Sequence, residues 1–151
     1  QSKNTSIKYT PFLKDELVLV CNTENNLANK NIISAEDLKT MSFVMREQGS
    51  GTLEVIEYAL KPFNINLSQL NVEMQLGSTE SIKSYLMNSN CVAFISVHAI
   101  EKELKNNELA ILDIENLMIE RFFYIITLHG KVNALSELFI KNISGYHNLK
   151  L

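Results

Sequence analysis

The sequence predicts an α/β fold, and three observations predict it. Short apolar runs rich in β-branched residues recur at 16–21, 42–45, 70–76, 91–95, 109–114 and 119–128. Single helical patterns separate most of these runs. Glycine-serine turns stand where two of the strands hand over to helices. Strands alternating with single helices build a parallel sheet with right-handed crossovers.

The elements follow in order. Residues 1–15 are polar and read as loosely held up to Pro11-Phe12-Leu13. Glu16 to Cys21 is short, β-branched and continuous, as a buried strand requires. Asn22 to Asn31 is a loop with five asparagines, which form turns through their side-chain amides. Ser34 reads as an N-cap, with Glu36 and Asp37 over the first turn of a helix. Ser42 to Met45 is a second strand and runs into Arg46-Glu47-Gln48-Gly49-Ser50-Gly51-Thr52. Leu53, Ile56, Ala59 and Leu60 then recur at helical spacing, and Pro62 ends that helix.

Leu70, Val72, Met74 and Leu76 alternate with polar residues, the pattern of a half-buried strand. Ser78 caps the next helix, marked by Ile82, Tyr85 and Leu86. Cys91 to Ile95 is apolar throughout, as a central parallel strand covered on both faces requires. Ser96 reads as the cap of a short helix through Leu104, and Asn106-Asn107 as a turn. Leu109 to Ile114 is a strand and Ile119 to Leu128 a long one, followed by a turn at His129-Gly130. Leu135, Leu138, Phe139 and Ile143 form the apolar stripe of a last helix.

Composition narrows the function. A length of 151 residues fits one domain, or two small lobes. Apolar residues are 46% and charged residues 21%, so the chain has material for a core and is not disordered overall. Net charge is −3, and Arg46 and Arg121, the only arginines, stand far apart. Duplex binding needs clustered cations, so this chain is not itself a DNA reader. Cys21 and Cys91 form no C-x-x-C and no metal-ligand spacing with histidine, and read as reduced, buried thiols. That favours a cytoplasmic location. No stretch reaches the roughly 20 apolar residues that span a bilayer, and residues 1–6 lack a signal-peptide core. Gln1 stands where a methionine would start a chain, which reads as a processed end or a cut inside a longer protein.

The two glycine-serine turns are the candidate site. In open α/β sheets, ligands bind at the carboxyl edge, where strand-to-helix turns lie. Gly49-Ser50-Gly51-Thr52 opens one helix and Gly77-Ser78-Thr79 the next. First-turn amides, hydroxyl donors and the helix dipole together favour an anion. Arg46 would add a positive charge. The same residues are also explained by plain capping, with Arg46 paired to Glu47, and spacing alone leaves both readings open. The loop matches neither G-x-G-x-x-G nor a P-loop, because no lysine follows.

Nothing in the chain asks for catalysis. His98, His129 and His147 neighbour no recognisable nucleophile, and no G-x-S-x-G or H-E-x-x-H occurs. Glu54 and Glu57 fit a solvated helix face, and Phe122-Phe123-Tyr124 fits packing. No catalytic residue, metal or cofactor is expected.

These residues resemble a known family. Leu17 to Val20 and the segment to Leu27-Ala28 are similar to the crossover strand and "hPLA" segment of LysR-type transcriptional regulators, although Asn25-Asn26 stand where His-Pro is usual. Arg46-Glu47-Gln48-Gly49-Ser50-Gly51-Thr52 resembles the R-E-x-G-S-G-T loop of a large subgroup, and Leu76 to Lys83 the family's next ligand loop and helix. The resemblance covers roughly residues 12–143.

It implies a periplasmic-binding-protein-like lobe with a mainly parallel sheet flanked by helices. Two crossover strands and a C-terminal helix would belong to a partial second lobe. Residues 1–151 would be a partial effector-binding domain, with a complete lobe at about 22–118 and the crossover strands and remnant at 1–21 and 119–151. In that family a winged helix-turn-helix binds DNA, and an effector in the cleft between two lobes controls it. The DNA-binding domain and the opening βαβ of the first lobe would lie outside this chain.

Carried over, Gly49, Ser50, Gly51 and Thr52 would line one side of the cleft. Ser78 and Thr79 would face them across it, and Asn22 would sit near the hinge. The implied partners are a small anionic metabolite and further copies of the same protein, with no membrane. The alternatives are a solute-binding protein of similar fold, a small α/β enzyme acting on a phosphorylated substrate, or a purely structural assembly lobe.

Overall fold

The computed structural model describes residues 7–30, 32–128 and 133–148. Its strands are β1 (Ile7–Asn22), β2 (Ile32–Ile33), β3 (Ser42–Arg46), β4 (Asn71–Leu76), β5 (Val92–Ser96), β6 (Leu109–Ile114) and β7 (Ile119–Leu128). Its helices are α1 (Gly51–Leu60), α2 (Thr79–Leu86), α3 (Glu101–Lys105) and α4 (Ala134–Asn148). The expected turn at His129-Gly130 lies outside the described residues. Two compact units divide the chain, one being Glu16–Arg121 and the other drawn from Gln1–Asp15 and Phe122–Leu151.

The α/β class is as expected. The strand order is β2-β6-β1-β5-β3-β4, with β7 pairing β1. β3 is parallel to β4 and β5, and β2 to β6. β1 is antiparallel to β5 and to β6, so the sheet is mixed. The expectation that β5 is a strand with parallel neighbours is corrected on its β1 side, because β1 runs against the strands that follow the crossovers.

The chain steps from β3 to β4 through α1, then back across β3 to β5 through α2. Crossovers of one hand in opposite directions place their helices on opposite faces of the sheet. The two cores show this alternation. Leu17, Leu19, Cys21, Phe43, Met45, Val92 and Phe94 pack with Leu53, Ile56 and Leu60 of α1. Val20, Val44, Ala93 and Ile95 pack with Ile82 and Leu86 of α2. Phe43 and Phe94 stack at 6.2 Å between centroids. Complete burial of such side chains contributes about 1.5–3 kcal/mol each, which makes this double-faced core the main stabilising term.

Several local expectations need correction. β1 begins at Ile7, well before Glu16. Ile7, Tyr9 and Phe12 supply strand-forming side chains between polar neighbours, and Tyr9 meets Tyr124 of β7 edge-on at 6.4 Å. The helix expected after Ser34 is a single 3-10 turn, Glu36–Thr40. Its start is still held by Ser34, which donates through N and Oγ to Asp37 Oδ2 at 2.8 Å each and accepts from Asp37 N at 3.3 Å. Ser96 makes no side-chain cap bond, because a 3-10 turn, Val97–Ala99, intervenes before α3. Asn25 is buried and caps the turn Asn26–Asn29 through Leu27 N at 2.9 Å.

In the second unit the apolar stripe of α4 is exposed, Leu135 at 77%. Ile125, Leu128, Leu135, Phe139, Ile140 and Ile143 help line an open groove of about 820 Å³ there. Phe122, Phe123 and Tyr124 are also exposed, so packing explains them less fully than expected. Among the described residues no helix is long and apolar enough to cross a membrane.

Candidate functional site

The reversal of direction at β3 and β4 makes a crevice at their carboxyl ends, the place where open α/β sheets take ligands. Arg46 and Leu76 are the last register partners of these two strands. Each strand is followed at once by its glycine-serine turn, so the two turns leave the sheet side by side. Ser78 and Thr79 therefore stand beside Gly49–Thr52, at the end of the neighbouring strand. Both turns belong to the single unit Glu16–Arg121.

The first turn is built by backbone conformation. Gly49 has φ +83°, which an L side chain adopts only with strain. Ser50 is extended, buried, and accepts from Leu53 N at 3.2 Å as the N-cap of α1. Ser50 O accepts from Glu54 N at 3.2 Å. The amides of Gly51 and Thr52 are first-turn donors, for which a helix offers no acceptor of its own. A Cβ at Gly51 would meet nothing within 4 Å, so the space beside this residue is open.

The second turn repeats the pattern. Ser78 caps α2 by accepting from Ser81 N at 3.1 Å, and its Oγ lies 2.8 Å from Ser81 Oγ. Thr79 opens the helix, half-buried. The Glu80 carboxylate is held by Lys83 at 2.9 Å.

Of the two places the sequence leaves open for Arg46, the structure shows the pair with Glu47. Arg46 forks onto Glu47, Nε at 2.7 Å and Nη2 at 2.8 Å. The bond to Glu47 raises the Arg46 pKa, against the effect of burial, and lowers that of Glu47. The charge of Arg46 is thus matched by its neighbour. Arg121 donates instead from Nη1 to Thr52 Oγ1 at 3.0 Å. Sequence reasoning missed this residue as part of the site. Its one signal was that it is the second of two arginines, two residues into the long strand from Ile119.

Asn22 does not join the others. Cys21 pairs with Val92 and Leu17 with Ser96, so the Asn22 end of β1 lies at the amino edge of β5, away from Arg46 and Leu76. There Asn22 Nδ2 donates to Met87 O at 2.8 Å and Oδ1 accepts from Glu24 N at 3.0 Å. Register, which no local pattern reveals, removes it from the site.

Other reactive groups are quiet. Burial pushes the Cys21 thiol up to about 11. Burial also raises the pKa of Cys91, whose Sγ donates to Glu73 Oε2 at 3.3 Å. Glu54 and Glu57 are both exposed on α1. Among the described residues no group of three or more His, Cys, Asp or Glu is placed to hold a metal. What the arrangement offers is a set of N–H and O–H donors at two neighbouring helix starts, suited to binding an anion.

Comparison with known proteins agrees on one family. The family model of the LysR substrate binding domain matches residues 1–145. A probable RuBisCO transcriptional regulator of Guillardia theta is 32% identical over 140 residues, which are 92% of this chain and 45% of that protein. The HTH-type transcriptional activator CmpR of Synechocystis is 32% identical over 138 residues, 91% of this chain and 44% of CmpR. The chain therefore spans less than half the length of these relatives. The CcmR regulatory domain of Synechocystis, solved in complex with 2-PG, superposes with a TM-score of 0.81 at 28% identity, over 97% of this chain and 69% of that one. The effector-binding domain of QuiR, solved with shikimate, shares the fold, with a TM-score of 0.76 at 17% identity, over 99% of this chain and 69% of that one.

Proposed function

The chain belongs to the LysR substrate-binding domain family, and on that premise we propose that it is the effector-sensing part of a LysR-type transcriptional regulator. Its effector is a small anionic metabolite. The donors are the Gly51 and Thr52 amides and the hydroxyls of Thr52, Ser78 and Thr79, with Gly49 and Ser50 setting the loop. The observation that carries this reading is the Arg46–Leu76 register, which sets two helix starts side by side at the switch point of the sheet. The similarity to CcmR, solved with the phosphorylated acid 2-phosphoglycolate, supports an anion of that class.

The mechanism is a population shift. An effector that binds one arrangement of the family's two lobes better than another biases their equilibrium by that difference in affinity. In this reading residues of about 22–118 form the complete lobe, while 1–21 and 119–151 supply crossover strands and part of the other. DNA contact belongs to a separate domain, subunits associate as oligomers, and the protein works in the cytoplasm, where its DNA lies.

Calorimetric titration of the full-length protein with 2-phosphoglycolate tests the site. Thr79→Ala is expected to weaken binding about tenfold, the worth of a hydrogen bond to a charged group, and Ser50→Ala to weaken it by loosening the cap that sets the loop. Unchanged affinity in both variants overturns the assignment.

A further inference from the structure

Three cationic or polar groups compete for a role at the start of α1, and their bonds separate them. Arg46 is spent on Glu47 through two of its nitrogens. The Ser50 hydroxyl oxygen is spent on Leu53 N. Thr52 differs in its partner: where Ser50 accepts from a backbone amide three residues on, Thr52 Oγ1 accepts from the guanidinium of Arg121, 69 residues away.

A hydroxyl has one proton and two lone pairs. When Oγ1 accepts from a guanidinium, which has donors only, the hydroxyl proton must point away from it. The Thr52 O–H is then committed as a donor, beside the Thr52 and Gly51 amides that open the same helix. Arginine suits this task because it never deprotonates and never accepts, so the orientation does not reverse with pH.

Resting on the effector site proposed above, we propose that Arg121 is its positioning residue: its bond to Thr52 turns that hydroxyl into a fixed third donor for the anion. The consequence is selectivity. Three fixed donors at the start of α1 favour carboxylate, phosphate or sulfate groups there over a ligand group that presents a donor of its own, since two donors would then face each other unpaired. Arg121 acts through Thr52, so its contribution vanishes when the hydroxyl is absent.

The test is a titration of the 151-residue chain with inorganic phosphate, followed at the backbone amides of Gly51 and Thr52 by NMR, with Val44 and Val92 amides reporting the fold. Thr52→Val and Arg121→Met are each expected to weaken phosphate binding about tenfold, as loss of a charge-assisted bond does. The double variant is expected to bind no more weakly than Thr52→Val alone, and Thr52→Ser to bind like the parent. Arg121→Gln, which keeps a donor of similar reach, is expected to fall between Arg121→Met and the parent, and serves where the methionine variant disturbs Val44 or Val92.

Two results overturn the inference while the site stands. One is parental binding in Arg121→Met and Arg121→Gln; the other is a loss in the double variant equal to the two single losses combined. If phosphate leaves the Gly51 and Thr52 amides of the parent unmoved, the site reading falls and this inference with it.

Discussion

Lys83 and Glu103 form an ion pair at 2.9 Å in which both side chains are almost out of water, at 10% and 12% exposure. Lys83 also donates to Ala99 O at 3.0 Å, so one ammonium fastens α2 to the segment that follows β5. Glu103 Oε2 has no hydrogen-bond partner among the described residues. Breaking a buried pair by removing one partner costs about 3–5 kcal/mol, because the other charge stays behind. Lys83→Met is therefore expected to lower unfolding free energy by about 3 kcal/mol in urea titration. Lys83→Met combined with Glu103→Leu is expected to recover most of that loss. A neutral single variant would show that Glu103 escapes to water.

The same pair sets an acid limit. The bond from Lys83 holds the Glu103 carboxyl below its usual 4.5, against burial, which pushes it up. A carboxyl lowered in the folded state adds stability that is complete above the unfolded value and is lost as pH falls through the folded one. For Lys83, burial lowers the pKa, but the bonds to Glu80 and Glu103 outweigh it and leave it above 10.5. That contribution is complete below the unfolded value and is lost as pH rises through the folded one. The stability gap between the parent and the double variant should thus be level near neutrality and shrink below about pH 4.5. Denaturation at a series of pH values measures it, and a level gap down to pH 2 would refute it.

Ser50 separates capping from binding. Ser50→Ala removes the acceptor for Leu53 N and is expected to cost about 1 kcal/mol. Ser50→Asp keeps a good cap, so its melting temperature should stay near that of the parent, while its added negative charge repels an anion at the same helix start. Affinity for 2-phosphoglycolate in the full-length protein should fall more than tenfold. Undiminished binding by Ser50→Asp would put the anion elsewhere.

The parts of this molecule legible in its sequence are those whose cause is local. Ser50 and Ser78 declare themselves as caps because a cap reaches only three residues along the chain. Strands β3, β5 and β6 are legible because burial leaves an apolar run, and β4 because its partly buried Val72 and Leu76 alternate with polar residues. Asn22 and Arg121 mislead for the opposite reason. Whether either reaches the carboxyl edge depends on strand register and on a bond spanning 69 residues. The early start of β1 was hidden likewise, since Ile7 and Tyr9 lie in a polar stretch and remain exposed in the strand.

Cys21 should behave as a core residue rather than as a thiol. Burial raises its pKa to about 11, so almost no thiolate exists at neutral pH, and thiolate is the reactive form. A disulfide reagent at pH 7.5 is expected to modify neither Cys21 nor Cys91 in the folded chain, and both on addition of denaturant. Fast modification of Cys21 in the native state would mean that β1 opens readily at that point.

Gly49 and Gly51 stand two residues apart and should respond oppositely to alanine. A Cβ at either position would meet no heavy atom within 4 Å, so steric clash decides neither case. Gly49 has φ +83°, and a side chain there is strained by about 1–2 kcal/mol, which Gly49→Ala should show as lost stability. Gly51 opens α1 without positive φ, where alanine is at least as good a helix former, so Gly51→Ala should fold as well as the parent. Its methyl group would nevertheless enter the open space beside this turn, where the anion is proposed to bind. A Gly51→Ala protein that melts like the parent and binds 2-phosphoglycolate several-fold more weakly is the expected result. Parental affinity would mean that the ligand does not approach this turn closely.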